Sequence, residues 1–369
     1  MIKARLAIDV RYAAAPLSGF GRFTWNLLEG LASIGPPEPM LMLRRPGQII
    51  PSGIASAPGF AWQEIDRAPY GPLGQRKLAQ SLSKAGATVM VSPDVFAPLG
   101  SSPKQVITLH DIIPLRCPEM LNRSAKGRFS WAWRQWLKLQ LRNAKLVLTV
   151  SEHARRDIAL AFGGTDQKLR TIYNAVPKID PIRGQARTTS GGPARLLYVG
   201  RTAPYKNIVG CIETLSLLRE DGIDAVLMIV GEPDPRYPEV GEAVQQLGLD
   251  QAVTFTGHVS DDQLRDLYRD ASVFLFLSHY EGFGLPPLEA MAHGVPVVSS
   301  DRTSMPEVLG DAALLVNPDD TKSAAAAVRR IIEQPDLAAE LHCRGRKRAA
   351  IFSTERQAIM FWDAVSPLL

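Results

Sequence analysis

Glu281 and Glu289, with seven residues between them, share the stretch 278–296 with Gly282, Phe283, Gly284 and Leu285. Carboxylates accept hydrogen bonds from hydroxyl groups, which a sugar and a ribose both offer. The apolar run Val273–Leu277 ahead of them reads as a buried parallel strand. Pro286 and Pro287 suit a helix start with Glu289 in its first turn, Gly294 suits that helix's end, and Val295–Ser299 resumes strand character. A strand, a glycine loop and a helix N-terminus aim backbone N–H groups and a helix dipole at one point, which suits a diphosphate. Diphosphate, sugar and ribose together make a sugar nucleotide.

Other loops stand in comparable positions. Gly200-Arg201-Thr202-Ala203-Pro204-Tyr205-Lys206-Asn207 follows the apolar run Leu196–Val199 and precedes a helical segment from Ile208 to Arg219. Its glycine and two cations sit where a diphosphate lies in α/β folds, and Asn207 is placed to cap the helix. Ser18-Gly19-Phe20-Gly21-Arg22 follows the first apolar run, and its glycines permit close backbone approach to a ligand. It lacks the third glycine of a dinucleotide fingerprint, which tells against a redox enzyme. His110 and Asp111 follow the run Val106–Leu109, and Gly257-His258-Val259 follows Val253–Phe255.

These loops need two sheets to position them. At 369 residues the chain exceeds what one core usually supports. Apolar runs at 6–10, 40–43, 89–91, 106–109, 146–150 and 169–172 alternate with helical segments. After a polar, Pro- and Gly-rich stretch the alternation restarts at 196–199, 225–230, 253–255, 273–277, 295–299 and 313–316. The expected fold is α/β: two doubly wound, Rossmann-like domains, 1–180 and 190–352, facing across a cleft.

Composition narrows the setting. Apolar residues make up 46% and charged residues 21%, as in soluble globular proteins. No apolar stretch approaches the ~20 residues that span a bilayer, and the N-terminus reads as a strand without the apolar core of an export signal. Cys117, Cys211 and Cys343 are scattered, so a reducing, cytoplasmic compartment is expected. Residues 1–180 hold 24 Lys and Arg against 12 Asp and Glu, whereas residues 181–369 hold 18 against 25. The basic half is thus expected to meet an anionic partner. Residues 120–151 hold Arg123, Lys126, Arg128, Arg134, Lys138, Arg142 and Lys145 with no acidic residue, and Trp131, Trp133 and Trp136 lie among them. Basic residues with interfacial aromatics suit the anionic inner face of a cytoplasmic membrane, and no recognition motif supports nucleic acid instead.

The string E-G-F-G-L-P-P-L-E-A-M-A-H-G-V-P-V-V, from Glu281 to Val298, resembles the signature of the retaining family 4 glycosyltransferases, which have the GT-B fold. Further matches run from Gly19 to Glu307: S-G-F-G-R, H-D-I-I-P-L, V-S-E at Ser151-Glu152, Y-N-A-V at Asn174 and G-R-x-x-x-x-K-N. The resemblance implies catalytic roles for Glu281, His110, Arg201 and Lys206. Arg201 and Lys206 would neutralise the departing diphosphate, Glu281 would contact the donor sugar and Glu289 the ribose. Gly19, Gly21, Gly200, Gly257, His258, Val259, Gly282, Phe283, Gly284 and Leu285 would complete the donor site. His110 would lie beside the transferred sugar, and the tail 353–369 would pack back on the first domain. Membrane and acceptor contacts would come from Arg123, Lys126, Arg128, Trp133, Arg134, Lys138 and Arg142.

The chain holds no Asp-x-Asp, the usual carboxylate pair for a divalent cation on a diphosphate, so metal-independent transfer without a cofactor is expected. The N-terminal motifs look most like bacterial mannosyltransferases of surface polysaccharide synthesis. That makes GDP-mannose the first-choice donor, a UDP-hexose the second, and a lipid-linked or oligosaccharide molecule the acceptor. A two-lobed sugar-binding protein is the alternative without catalysis. It would need no Arg201–Lys206 pair and would normally carry an export signal.

Overall fold

The computed structural model describes residues 4–13, 19–36, 38–66, 72–99, 103–177, 179 and 192–369. The chain divides into two units, one of Met1–Ile112, Ser130–Pro177 and Phe352–Leu369, the other of Ile113–Phe129 and Lys178–Ile351. Among the described residues, the first unit holds seven parallel strands: β1 (Leu6–Asp9), β2 (Met40–Arg44), β3 (Phe60–Glu64), β4 (Val89–Ser92), β5 (Lys104–Thr108), β6 (Leu146–Thr149) and β7 (Leu169–Thr171). They lie in the order β3-β2-β1-β4-β5-β6-β7, with Leu6 paired to both Met40 and Val89 across the centre. Every residue of β1, β4 and β6 is buried, as a parallel sheet covered on both faces requires.

The sequence reading passes over β3. Its Phe-Ala-Trp-Gln-Glu turns polar after three apolar residues, and this edge strand is only partly buried along its length.

The second unit repeats the plan with β8 (Ala194–Val199), β9 (Ala225–Val230), β10 (Val253–Gly257), β11 (Val273–Phe276), β12 (Val297–Ser300) and β13 (Leu314–Val316). Among the described residues this sheet is parallel and runs β10-β9-β8-β11-β12-β13. Both units are therefore doubly wound and Rossmann-like.

Two segments sit away from their place in the sequence. The tail helix Thr354–Val365 belongs to the first unit, where it packs on the helix Gly19–Ile34. A Cβ at Gly30 would lie 1.9 Å from the Thr354 carbonyl oxygen, so glycine permits that approach, and Val176 N–H donates to Phe352 O at 2.9 Å nearby. Conversely, residues 113–129, expected within the first domain, group with the second unit. Ile113 and Cys117 form a buried cluster with Tyr280, flanked by Met120, Leu121 and Tyr205. Arg123 pairs with Glu239 at 2.8 Å and lies over the Tyr237 ring. Apolar burial of Ile113, Cys117 and Tyr280 accounts for where this segment packs.

Candidate functional site

In the second sheet the strand order reverses between β8 and β11, which are hydrogen-bonded neighbours. Loops leaving the C-terminal ends of such strands diverge, and ligands of α/β folds gather there. The two loops at this point are 200–207 and 277–284, the ones singled out in the sequence.

The loop after β11 leads into the helix Leu285–Ala292, with Gly284 at its N-cap and Pro286 and Pro287 in the first turn. Gly284 has φ +101°, so the backbone requires glycine, and a Cβ there would fall 2.2 Å from Met305 Cε, the movable end of a flexible side chain. Glu289 lies one turn deeper than the prolines suggested, because the helix starts at Leu285 and has no acidic residue in its first turn. It is buried and accepts from the Tyr268 hydroxyl at 3.1 Å. Gly294, at φ +80°, ends the helix: its N–H donates to Met291 O and that of Val295 to Ala290 O, the paired bonds of a Schellman stop.

The loop after β8 carries Gly200, exposed Arg201 and half-buried Lys206. Lys206 Nζ donates to Glu281 Oε1 at 2.6 Å and lies 5.4 and 5.5 Å from the ring centres of Tyr205 and Phe276. The two residues expected to address sugar and diphosphate thus form one ion pair, with side chains 14% and 9% exposed. Asn207, at φ +51°, caps the next helix through Gly210 N–H at 3.2 Å, and its amide donates to Pro318 O at 2.8 Å.

Neighbouring strand ends add Gly231 and Gly257. Gly231 sits at φ +144°, and a Cβ there would approach Gly200 O to 2.2 Å. Its N–H donates to Gly257 O at 3.2 Å, which draws together the loops after β8, β9 and β10. Gly257 has φ +68°, and a Cβ there would meet nothing within 4 Å; His258 is exposed and Val259 half-buried. Sequence reasoning missed Gly231, although a glycine directly after the apolar run 225–230 was the available signal.

The same reasoning missed Thr303 and Ser304, which grip the Glu281 loop. Glu281 N–H donates to Thr303 Oγ1 at 3.0 Å, and Ser304 Oγ lies 3.0 Å from Glu281 O and 2.9 Å from Phe283 O. Hydroxyl residues in a loop are too common to have drawn attention.

In the first unit, His110 stands at the end of β5, buried with its ring edge-on to Phe20 and Phe23 at 4.6 and 5.0 Å. Its Nε2 lies 2.9 Å from Pro93 O. A carbonyl only accepts, so Nε2 carries the proton. Burial drives the imidazole pKa down to about 4, against the opposing pull of the Pro93 carbonyl. His110 is therefore neutral near pH 7 and supplies no positive charge there. Gly19 opens the helix Gly19–Ile34, where a Cβ would meet nothing within 4 Å, and Gly21 is buried in its first turn. Ser18 lies outside the described residues.

The basic stretch divides. Arg123 is held by Glu239 and donates to Arg236 O at 2.5 Å, and Arg134 donates to Ala161 O at 2.9 Å with its guanidinium over Phe162. Both guanidiniums thus make contacts within their own unit, although Arg123 stays exposed and Arg134 is half-buried. Trp133 is half-buried, 5.9 Å from the Phe96 ring. Arg128, Arg142 and Lys145 are exposed and Lys138 half-exposed, and Phe129 and Trp131 are 62% and 74% exposed. The Lys126 side chain lies outside the described set.

Two doubly wound units, with glycine loops and carboxylates at the switch point of the second, define a GT-B glycosyltransferase. The sequence profile described as "Glycosyl transferases group 1" matches residues 184–348 and that described as "Glycosyltransferase Family 4" matches 17–178. The chain is 30% identical over 363 residues to the O-antigen chain mannosyltransferase B of Escherichia coli, covering 92% of this chain and 93% of that protein. It is 35% identical over 232 residues to the O-antigen chain mannosyltransferase RfbU of Salmonella typhimurium, a match spanning 63% of this chain and 62% of the relative. Sucrose-phosphate synthase of Thermosynechococcus elongatus superposes with a TM-score of 0.77 at 23% identity over 98% of both chains. HepE of Anabaena, solved with UDP-glucose, superposes with a TM-score of 0.74 at 18% identity over 99% of this chain and all of that one. The chain belongs to the family 4 glycosyltransferases.

Proposed function

We propose that the chain transfers mannose from GDP-mannose, with retention and without a metal ion, to a lipid-linked or oligosaccharide acceptor in polysaccharide synthesis. The observation that carries this reading is the 30% identity with a mannosyltransferase over nearly the full length of both chains. In the reaction the bond between the sugar's anomeric carbon and the diphosphate oxygen breaks. The acceptor hydroxyl oxygen forms the new bond on the same face, and its proton passes to the departing phosphate. Negative charge grows on that leaving group, and Arg201 and Lys206 are cations at the right strand ends to stabilise it. Glu281 accepts from sugar hydroxyls, and Glu289, steadied by Tyr268, from the ribose. The absence of an Asp-x-Asp pair from the sequence, with two cations at this point, supports transfer without a metal.

A UDP-hexose is the second reading for the donor, favoured by the fold likeness to HepE solved with UDP-glucose. For location, we assign the exposed Trp131, Arg142 and Lys145 of the first unit, with half-exposed Lys138, to the anionic inner face of the cytoplasmic membrane, where a lipid-linked acceptor would be met. Among the described residues no helix is long and apolar enough to cross a membrane.

Thermal unfolding of the purified chain with GDP-mannose, UDP-glucose, GDP and UDP tests the donor, because a ligand that binds the folded state raises its stability by mass action. Stabilisation by the guanine pair is expected. A response to the uracil pair alone moves the donor to the second reading.

A further inference from the structure

The segment 301–305 after β12 touches the Glu281 loop through three residues. Thr303 Oγ1 accepts from Glu281 N–H at 3.0 Å. Ser304, fully buried, has one hydroxyl proton shared between Glu281 O at 3.0 Å and Phe283 O at 2.9 Å. Met305 fills the space that Gly284 leaves. The turn is itself tied down: Asp301 N–H donates to Val316 O at 2.8 Å, and Arg302 donates to Asn317 Oδ1 at 3.0 Å.

The backbone within this turn is strained. Thr303 has φ +54°, and among the described residues only Asn207 is a second non-glycine at positive φ. A β-branched residue in that region is a genuine outlier, and such conformations persist where the surroundings over-determine them. Glycine would adopt the angle without penalty, yet glycine carries no hydroxyl for the Glu281 N–H. The peptide geometry shows what the strain secures. A peptide unit is planar with C=O and N–H opposed. Drawing the carbonyls of residues 281 and 283 onto Ser304 therefore turns the amides of residues 282 and 284 the other way. Two hydroxyls thus set the orientation of the loop that bears the sugar-facing carboxylate.

We propose that Thr303 and Ser304 are positioning residues that fix Glu281 and its glycine loop for the sugar part of the donor, while Arg201, Lys206 and Glu289 take the diphosphate and ribose. The proposal rests on the sugar-nucleotide reading of the site. Its mark is selective: losing the brace weakens recognition of the sugar nucleotide but not of the nucleoside diphosphate.

The test uses the full chain and calorimetric titration with GDP and GDP-mannose. Thr303→Val keeps shape and branching without the hydroxyl, Ser304→Ala removes the shared donor, and Thr303→Ser restores the acceptor. Thr303→Val and Ser304→Ala are expected to bind GDP within about twofold of the wild type and GDP-mannose on the order of tenfold more weakly, with Thr303→Ser close to wild type. Equal weakening of both ligands, or unchanged preference for the sugar nucleotide, overturns the proposal. If the wild type binds UDP and UDP-glucose instead, the same ratio is read on that pair, and only the guanine assignment falls. Binding of neither pair by the wild type overturns the sugar-nucleotide reading and the brace with it. Should Ser304→Ala fail to fold, Thr303→Val and Thr303→Ser decide alone, since Thr303 is half-exposed.

Discussion

Replacing Lys206 by Met tests whether the Lys206–Glu281 pair stabilises the second unit as well as serving its ligand. The side chains are 14% and 9% exposed, with the charged atoms 2.6 Å apart. At an effective dielectric near 20, unit charges at that distance attract by about 6 kcal/mol. Desolvation of both groups offsets much of this, so the net contribution of the intact pair is small. Removing one partner differs, because the other charge stays buried, and such truncations cost about 3–5 kcal/mol. Met retains an apolar stem near the Tyr205 and Phe276 rings, which limits the loss of packing. Lys206→Met is therefore expected to destabilise the second unit by about 3 kcal/mol. Glu281→Gln should cost about 1–2 kcal/mol, since its amide oxygen still accepts from Nζ. The double variant should cost less than the sum, with a coupling of at least about 1 kcal/mol. All six tryptophans lie in first-unit segments, so their fluorescence is the wrong probe. Hydrogen exchange in urea, read on peptides covering β8 and β11, follows the right unit. Additive variants, or a Lys206→Met cost at the ~0.5 kcal/mol level of an exposed pair, refute the argument.

Other perturbations follow from the same geometry. His110 has its pKa held down to about 4, so the unfolded chain binds its proton first, and the stability this residue confers is complete above about pH 6.5 and lost as pH falls toward 4. Across that window the wild type should lose up to about 3 kcal/mol relative to His110→Gln in urea titrations, and parallel profiles would contradict the buried neutral imidazole. Gly284→Ala should reduce sugar-nucleotide binding and lower the melting temperature, because φ +101° opposes a side chain even where the Met305 methyl can move aside; an unchanged melting curve would show that the loop has room to shift. Charge reversal at Lys138, Arg142 and Lys145 should release the protein from phosphatidylglycerol vesicles at low salt, each basic residue contributing roughly 1 kcal/mol. Co-sedimentation equal to the wild type returns this face to solvent. EDTA is expected to leave transfer unaltered, and activity strictly dependent on added magnesium or manganese would mean the diphosphate is held differently.

The sheets and the glycine loops were legible because their causes are local. Val273–Phe276 is buried along its whole length and reads as a strand from four apolar residues in a row. Edge strand β3 has water along part of its surface and therefore no such run. The Lys206–Glu281 pair was not legible. Its members are 75 positions apart, and only the adjacency of β8 and β11 brings their loops together. The brace at Thr303 and Ser304 was hidden for the same reason, since its hydroxyls act on a backbone more than twenty residues upstream.

The basic stretch shows how far counting charges can go. Seven cations without a single acidic residue between 120 and 151 suggest one electrostatic surface. The fold separates them by partner. Arg123 finds Glu239 and the Tyr237 ring, and Arg134 finds the Ala161 carbonyl and the Phe162 ring. A guanidinium offers planar, multiple donors and a face that stacks, so structural contacts readily recruit it. Lys138 and Lys145, by contrast, carry a strongly hydrated ammonium on a flexible stem, and Arg142 is exposed at the helix end. The chemistry of the head groups thus shapes which cations of a basic run the fold recruits into its own contacts: the guanidiniums first, where a carbonyl, carboxylate or ring lies within reach.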